Sequence, residues 1–533
     1  MDVDNFLKNI GQFGPFQIRI LAFFLFIFFP VTYQTLIMVF MAYEPPWMCT
    51  ENSTACLLPN ATGQEIFSTA TKPIELYRRR CSLNRTEWKF ADTNLYEGPH
   101  RTIVTDFDLV CDRSIYAWLA NSIFYIGWAI GALVLGMISD KYGRRSVLFP
   151  SLTCVIITAF AMSFSEAIWL VILFRILIGF FEGGCILTMF VLACELVGPA
   201  KRALSSTMVW FYFSLVLMVM GLEAYFIRDW QTMCIIISAP FIFTVLFYKF
   251  VPESVRWLLV HGKKEQALNI LTNVAKVNKK EMPTDDLAVP ASHDSKGFLE
   301  LFRGRKMALM TLVQCYAWFI NGMVYYGVSL SSGELGGSIY LNFVVTSLVG
   351  IPGNYLVIDN SNRFGRKKTV IGHFIAGAIC CIAVSFIPSG TDNTGFIVGR
   401  VTLGSLGKLF IIVSFNTIYI WSAEIFPTVV RNTGMGLLII TSRIGAAASP
   451  FVVQMSRISA ILPFTLMGAG AFLAAFSCII LPEIRGMPTR EVVGDEGDFI
   501  DCKYTKSSFT NLVDSRCKKI CIFYLKVGFF MHF

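Results

Sequence analysis

Twelve stretches of about 20 predominantly apolar residues run through this chain, at 17–42, 116–138, 146–165, 168–193, 204–226, 231–251, 307–330, 338–358, 369–388, 395–421, 433–454 and 460–481. Each is long enough to cross roughly 30 Å of hydrocarbon. Within lipid a spanning segment must satisfy its own backbone polar groups, so runs of this length have to be helices. Of the 533 residues, 55% are hydrophobic and 15% charged, against about a quarter charged in soluble proteins. The expected fold is an all-α membrane protein of twelve transmembrane helices in a lipid bilayer. The formal charge of +9 does not point to nucleic acid, because its Lys and Arg fall in short gaps between apolar runs, where they orient the chain. The first run has no small-residue cleavage site, so no cleavable signal peptide is expected.

The runs form two groups of six. Residues 1–251 make an N-terminal six-helix half, which contains a large polar loop, 43–115. A basic stretch, 252–306, separates it from a C-terminal half, 307–482, and a tail follows at 483–533. Excess Lys and Arg marks cytoplasmic loops. The central loop and both termini are therefore expected in the cytoplasm, with the 43–115 loop on the opposite side. That loop holds sequons at Asn52, Asn60 and Asn84, consistent with a glycosylated, non-cytoplasmic segment. It also holds Cys49, Cys56, Cys81 and Cys111. Four cysteines in an oxidising compartment suggest two disulfides, in any of three connectivities.

The halves repeat one another. Gly143-Arg144-Arg145 follows span 2, and Gly365-Arg366-Lys367 follows span 8. Arg175 precedes Gly179 by four in span 4, as Arg400 precedes Gly404 in span 10. Glu195 stands seven before Arg202, and Glu424 seven before Arg431. Pro252-Glu253 closes span 6, and Pro482-Glu483 closes span 12. Marks recurring in order at nearly constant offset indicate two related halves, an architecture of secondary transporters with the substrate site between the halves near mid-membrane.

At these residues the chain resembles the major facilitator superfamily, whose signature is matched by Gly136-x-x-x-Asp140-Lys141-x-Gly143-Arg144-Arg145. More narrowly it is similar to solute carrier family 22, the organic cation, anion and zwitterion transporters. The residues carrying that likeness are Thr105 to Cys111, Pro252 to Leu258 and Ala423 to Asn432. The stretch from Tyr325 to Tyr340 looks most like the carnitine and zwitterion branch. In the second half Asn362 stands where the signature commonly has an acid, and Asp359 lies just upstream.

Ionisable groups inside a span are expensive and usually face a cavity or a partner. Arg443 lies mid-span 11, and its guanidinium offers a fork for a carboxylate. The resemblance implies Arg here in anion and carnitine transporters and Asp in cation transporters. Lys408 in span 10 shares a helical sector with Asn416 and Tyr419. Glu182 in span 4 has no repeat counterpart, whereas Arg175 and Arg400 repeat and read as structural. Trp318 and Tyr325 share a face of span 7 with Tyr326 adjacent, a stripe suited to a quaternary ammonium. Arg443, Trp318, Tyr325, Tyr326, Lys408, Asn416 and Glu182 are thus the candidate substrate residues. Asp140, Gly143, Arg144, Arg145, Glu195, Arg202, Glu424 and Arg431 are expected to work as a gate, with Asp140 beside Arg144, Arg145 and Arg202, and with Glu195–Arg202 and Glu424–Arg431 as ion pairs.

No Walker A loop, metal-ligand spacing or other enzyme site is present in the sequence, so neither catalysis nor a cofactor is expected. The reading is a plasma-membrane secondary transporter of small organic ions, the expected substrates being zwitterions or anions of the carnitine kind, driven by sodium, a proton or a counter-substrate. Its rivals are an organic-cation facilitator and, in another class, a receptor or scaffold that keeps the fold without transport.

Overall fold

The computed structural model describes residues 3–50, 66–67, 74–91, 98–99, 101–198, 201–283, 287, 298–389, 393–427 and 430–484. Asn52, Asn60, Cys56 and the tail from 485 lie outside the described residues. Among the described residues, twelve helical segments are long and apolar enough to cross a membrane: Pro15–Met41, Cys111–Tyr142, Arg144–Met162, Ile168–Glu195, Met208–Phe226, Trp230–Lys249, Arg305–Gly333, Ile339–Phe364, Arg366–Phe386, Thr394–Ile425, Arg431–Arg457 and Leu462–Ile480. They are spans 1 to 12 below. Exposed Leu133, Ile157, Leu173, Phe243, Leu312, Ile379 and Phe472 give the bundle an apolar exterior, as lipid requires. One end carries the 43–115 loop and is called the loop face. The other carries the Gly-Arg turns and is called the basic face.

Small residues let the spans approach closely. A Cβ at Gly131 of span 2 would lie 1.8 Å from the Phe180 carbonyl oxygen of span 4. Neither backbone can yield without separating the helices. Gly131→Ala is expected to destabilise the N-terminal half by about 1–3 kcal/mol, the usual cost of overpacking. Thermal unfolding of detergent-solubilised protein would read it as a lowered midpoint, and an unchanged midpoint would contradict the close approach.

Both Gly-Arg turns are built the same way. Gly143 (φ 106°) and Gly365 (φ 87°) stop one helix and start the next in a backbone conformation that side chains disfavour. The new helix is then capped by a carboxylate from the last span of the same half. Glu253 accepts from the Arg144 N–H (2.8 Å) and the Arg145 N–H (3.2 Å). Glu483 accepts from the Arg366 N–H (3.3 Å) and the Lys367 N–H (3.0 Å). An acid at a helix N-terminus satisfies orphan donors and meets the positive end of the dipole. The repeated Pro-Glu marks are therefore caps, and Gly143 serves this turn.

The loop contributes the departure from helix. Strands β1 (Trp47–Cys49), β2 (Ile66–Phe67) and β3 (Trp88–Phe90) form an antiparallel sheet in the order β2-β1-β3. Beside it lies a short helix, Ile74–Ser82. A disulfide, Cys81–Cys111, ties that helix to the start of span 2, and Cys49 is also disulfide-bonded. Asn84 is exposed.

Candidate functional site: a central cavity and a loop-face latch

A cavity of about 90 Å³ lies between the halves. Span 1 supplies Phe28 and Thr35, span 2 Trp128, span 5 Trp210, span 7 Trp318, Tyr325 and Tyr326, span 8 Asn354, span 10 Phe415, Asn416 and Tyr419, and span 11 Ser442 and Arg443. Five of the seven candidate substrate residues are therefore in one wall set. Arg443 lies against the Trp128 ring, 3.7 Å from its centroid, and donates to the Tyr326 hydroxyl at 2.6 Å. Among the described residues no carboxylate pairs with it. Trp318 donates to Ser422 Oγ at 3.0 Å, which fixes its ring against Tyr419 at 5.1 Å and edge-on to Phe415 at 5.8 Å. Asn416 donates to Asn354 at 2.8 Å, joining spans 10 and 8.

Two candidates stand behind the wall. Lys408 is buried, its Nζ has no hydrogen-bond partner, and it lies 5.3 Å from the Tyr325 ring centroid. Glu182 is buried behind Thr35, whose hydroxyl donates to Glu182 Oε1 at 2.5 Å. Arg175 and Arg400, the repeated pair, both donate to backbone carbonyls. Arg175 donates to the Gln34 carbonyl at 2.8 Å and lies 4.1 Å from the Phe124 centroid. Arg400 donates to the carbonyls of Ile387 and Glu334.

The expected gate pairs need correction. Asp140 pairs with Arg144 at 2.7 Å, and Arg144 approaches Glu195 at 3.7 Å. Arg202 pairs with Asp4 of the N-terminal helix Val3–Ile10 instead of Glu195, and Asp4 also takes Arg256. Arg145 lies 3.8 Å from the Tyr248 ring centroid, not in an acid cluster. Glu424 takes Arg366 in a two-pronged contact, 3.0 Å on each side, while Arg431 donates to the Phe426 carbonyl. Asp359 pairs with Arg363 one turn on, at 2.8 Å. The reason is reach: the chain turns between Glu195 and Arg202, and between Glu424 and Arg431, so sequence spacing does not put those side chains on one helix face. None of these pairs joins the two halves.

The halves are instead joined at the loop face. Glu44 is buried and takes both Arg80 of the loop helix and Arg457 of span 11. Burial alone would raise the Glu44 carboxyl, but Arg457 and Arg80 overcome it and hold it below its ordinary range. Gln454 donates to Ser114 Oγ, Phe40 stacks on Tyr340 at 5.7 Å, and Tyr225 meets Tyr340 edge-on at 5.7 Å. The latch residues Glu44 and Arg457 help line a vestibule of about 690 Å³, with Arg78, Asn121, Glu334 and Arg400. Burial raises the Glu334 carboxyl, against opposing contributions from Ser456, Arg457 and Arg400.

The family described as "Sugar (and other) transporter" matches residues 68–493. The chain belongs to that family. Its members are membrane transporters and not enzymes, and the twelve-span bundle is the major facilitator fold. The chain is 30% identical to an organic cation transporter protein of Drosophila melanogaster, over 94% of this chain and 95% of the relative. It is 29% identical to mouse solute carrier family 22 member 3, over 92% and 95%, and 28% identical to human solute carrier family 22 member 13, over 92% of each. Among solved structures, the proton:xylose symporter XylE bound to 6-bromo-6-deoxy-D-glucose superposes with a TM-score of 0.56 at 16% identity, over 91% of this chain and 98% of that one. That likeness shows the fold alone.

The intramembrane charges and the aromatic stripe of span 7 pointed to residues that line the cavity, but not to Trp128, Trp210 or Asn354. A lone Trp or Asn in an apolar run carries no signal of which way it faces. Glu44 and Asp4 were missed because they lie outside the runs, where acids are ordinary.

Proposed function

We propose that this protein is a plasma-membrane secondary transporter whose substrates are small zwitterions or organic anions, betaines of the carnitine type among them. The observation that carries this reading is Arg443. It presents a guanidinium to the cavity with an indole face and a tyrosine hydroxyl as neighbours and, among the described residues, no carboxylate paired to it. A cation inside the membrane without a counter-ion is costly, and a substrate carboxylate supplies one. Trp318, Tyr325 and Tyr419 would face the ammonium or apolar end.

The loop face is assigned outward and the basic face, with both termini, to the cytoplasm. The Arg-rich turns support this, as do the Cys81–Cys111 disulfide and the exposed Asn84 sequon. With the halves joined at the loop face, the conformation is then one closed to the outside. Glycosylation at Asn52, Asn60 and Asn84 belongs to the same assignment.

A second reading, an organic-cation facilitator, draws on the aromatic walls and on the relatives bearing that name. Counterflow separates the two. Purified protein in liposomes loaded with carnitine, a dicarboxylate or a quaternary amine is expected to exchange labelled carnitine well and the bare amine poorly. Exchange of the amine alone would replace this reading with the second. Repeating the uptake with and without a sodium gradient tests sodium as the driving ion.

A further inference from the structure

Among the described residues, Glu182 is an acid placed against the cavity wall that the substrate reading leaves without work. Its residue is fully buried. Oε1 accepts from the Thr35 hydroxyl at 2.5 Å, and Oε2 has no hydrogen-bond partner. Among the described residues no Lys, Arg or His pairs with it. The groups that act on it electrostatically come from three spans: Arg175 and Cys185 on its own, Tyr125 on span 2 and Arg443 on span 11. Arg175 is already committed to the Gln34 carbonyl and the Phe124 ring. Tyr125 donates to the Thr35 carbonyl at 3.1 Å and meets the Tyr326 ring at 4.8 Å. Tyr326 in turn holds Arg443. Glu182 and Arg443 thus stand at two ends of one short set of contacts, Glu182–Thr35–Tyr125–Tyr326–Arg443, that crosses between the halves.

We propose that Glu182 is a proton-binding site of the transport cycle, and that a proton on Glu182 and a substrate carboxylate on Arg443 are carried together. The inference rests on the carboxylate reading above. A carboxyl buried with one hydroxyl donor and no paired cation keeps a proton in preference to a charge. Glu182 does not line the cavity, so its ligand is one that needs no volume. Thr35 lines the cavity and touches Glu182, and so gives the proton a route to water when that side opens. The coupling follows from Arg443. While its guanidinium is free, its field favours an ionised Glu182. A bound carboxylate cancels that field and favours the protonated form. Binding free energies are reciprocal, so the proton strengthens carboxylate binding by the factor the carboxylate strengthens proton binding. No covalent bond changes: a proton joins a Glu182 oxygen from one side of the membrane and leaves to the other.

The test uses the full-length protein in liposomes, with labelled carnitine as the probe. With the outside made acidic relative to the lumen, the wild type is expected to accumulate carnitine about tenfold above equilibrium per pH unit, the limit for one coupled proton before the charge it moves is balanced. A potassium–valinomycin clamp holds the voltage at zero. Glu182→Gln is expected to lose accumulation down to the equilibrium ratio, with its counterflow measured in the same vesicles to report folded, substrate-binding protein. Accumulation by Glu182→Gln equal to wild type overturns the proton site and leaves the substrate reading intact. Absence of counterflow for any carboxylate in the wild type overturns the substrate reading, and the proton site with it. A pH dye entrapped with the wild type gives a readout that needs no variant: carnitine entry should acidify the lumen, and carnitine entry without acidification overturns the proposal.

Discussion

Replacing Arg443 by Gln is expected to weaken carboxylate binding by about 10- to 150-fold, the span of a lost charge-assisted hydrogen bond. Three substitutions make the argument complete. Lys keeps the charge but loses the planar fork and the stacking on Trp128, so affinity falls less than in Gln. Asp reverses the charge against the same aromatic walls. It should repel carboxylates and admit permanent cations, since specificity is a difference between two affinities. The geometry also says how the idea could fail. Arg443 joins Tyr326 and Trp128 across the halves, and a purely structural role would lower the abundance of folded protein in all three variants alike. Folded protein at the membrane is therefore measured alongside uptake of one carboxylate and one quaternary amine. Folded variants with unchanged selectivity would remove Arg443 from the substrate site.

Arg457→Gln should open the loop face. Glu44 keeps Arg80 within its own half, but its contact with Arg457 reaches across to the other. Breaking a buried pair entirely costs about 3–5 kcal/mol. The share lost with Arg457 is one charge-assisted bond, about 1.5–3 kcal/mol, which favours the open conformation tenfold or more. A cysteine placed at Asn121, in the vestibule wall, should then react roughly tenfold faster with a membrane-impermeant thiol reagent. Equal labelling in both backgrounds would show that the latch does not set the equilibrium. Acid gives the sign of the same effect. Because Arg457 and Arg80 hold the Glu44 carboxyl below its ordinary range, the pair is intact above the usual carboxylate value of about 4.3. It is lost only as pH falls through the lowered one, so labelling should stay flat through the neutral and mildly acid range.

How far the chain could be read as text is clear from particular residues. The spans were legible to within a few positions, because hydrocarbon thickness fixes their length. Arg443 and Trp318 were legible because a charge or a polar-edged ring is conspicuous in an apolar run. Lys408 was placed on the right sector but at the wrong level. Eight residues of helix separate it from Asn416, about 12 Å along the axis, and at its own level Lys408 is buried behind Tyr325 and is not a lining residue of the cavity. Azimuth follows from spacing; depth relative to a closing cavity does not. The ion pairs failed for a related reason, since partners for Glu195 and Arg202 come from segments remote in sequence, Asp4 among them. The small sheet of the loop could not be read from the pattern of apolar runs at all.

The capped turns bear on how such a protein can diversify. Glu253 and Glu483 each tie the last span of a half to the start of its third, through backbone N–H groups that every residue but proline possesses. The tie makes no demand on which side chains face the cavity. Rigidity is therefore specified at one end of each bundle and taste at its waist, by separate sets of residues. A lineage can exchange Arg, Asp or aromatic groups around the waist and inherit its moving parts unchanged.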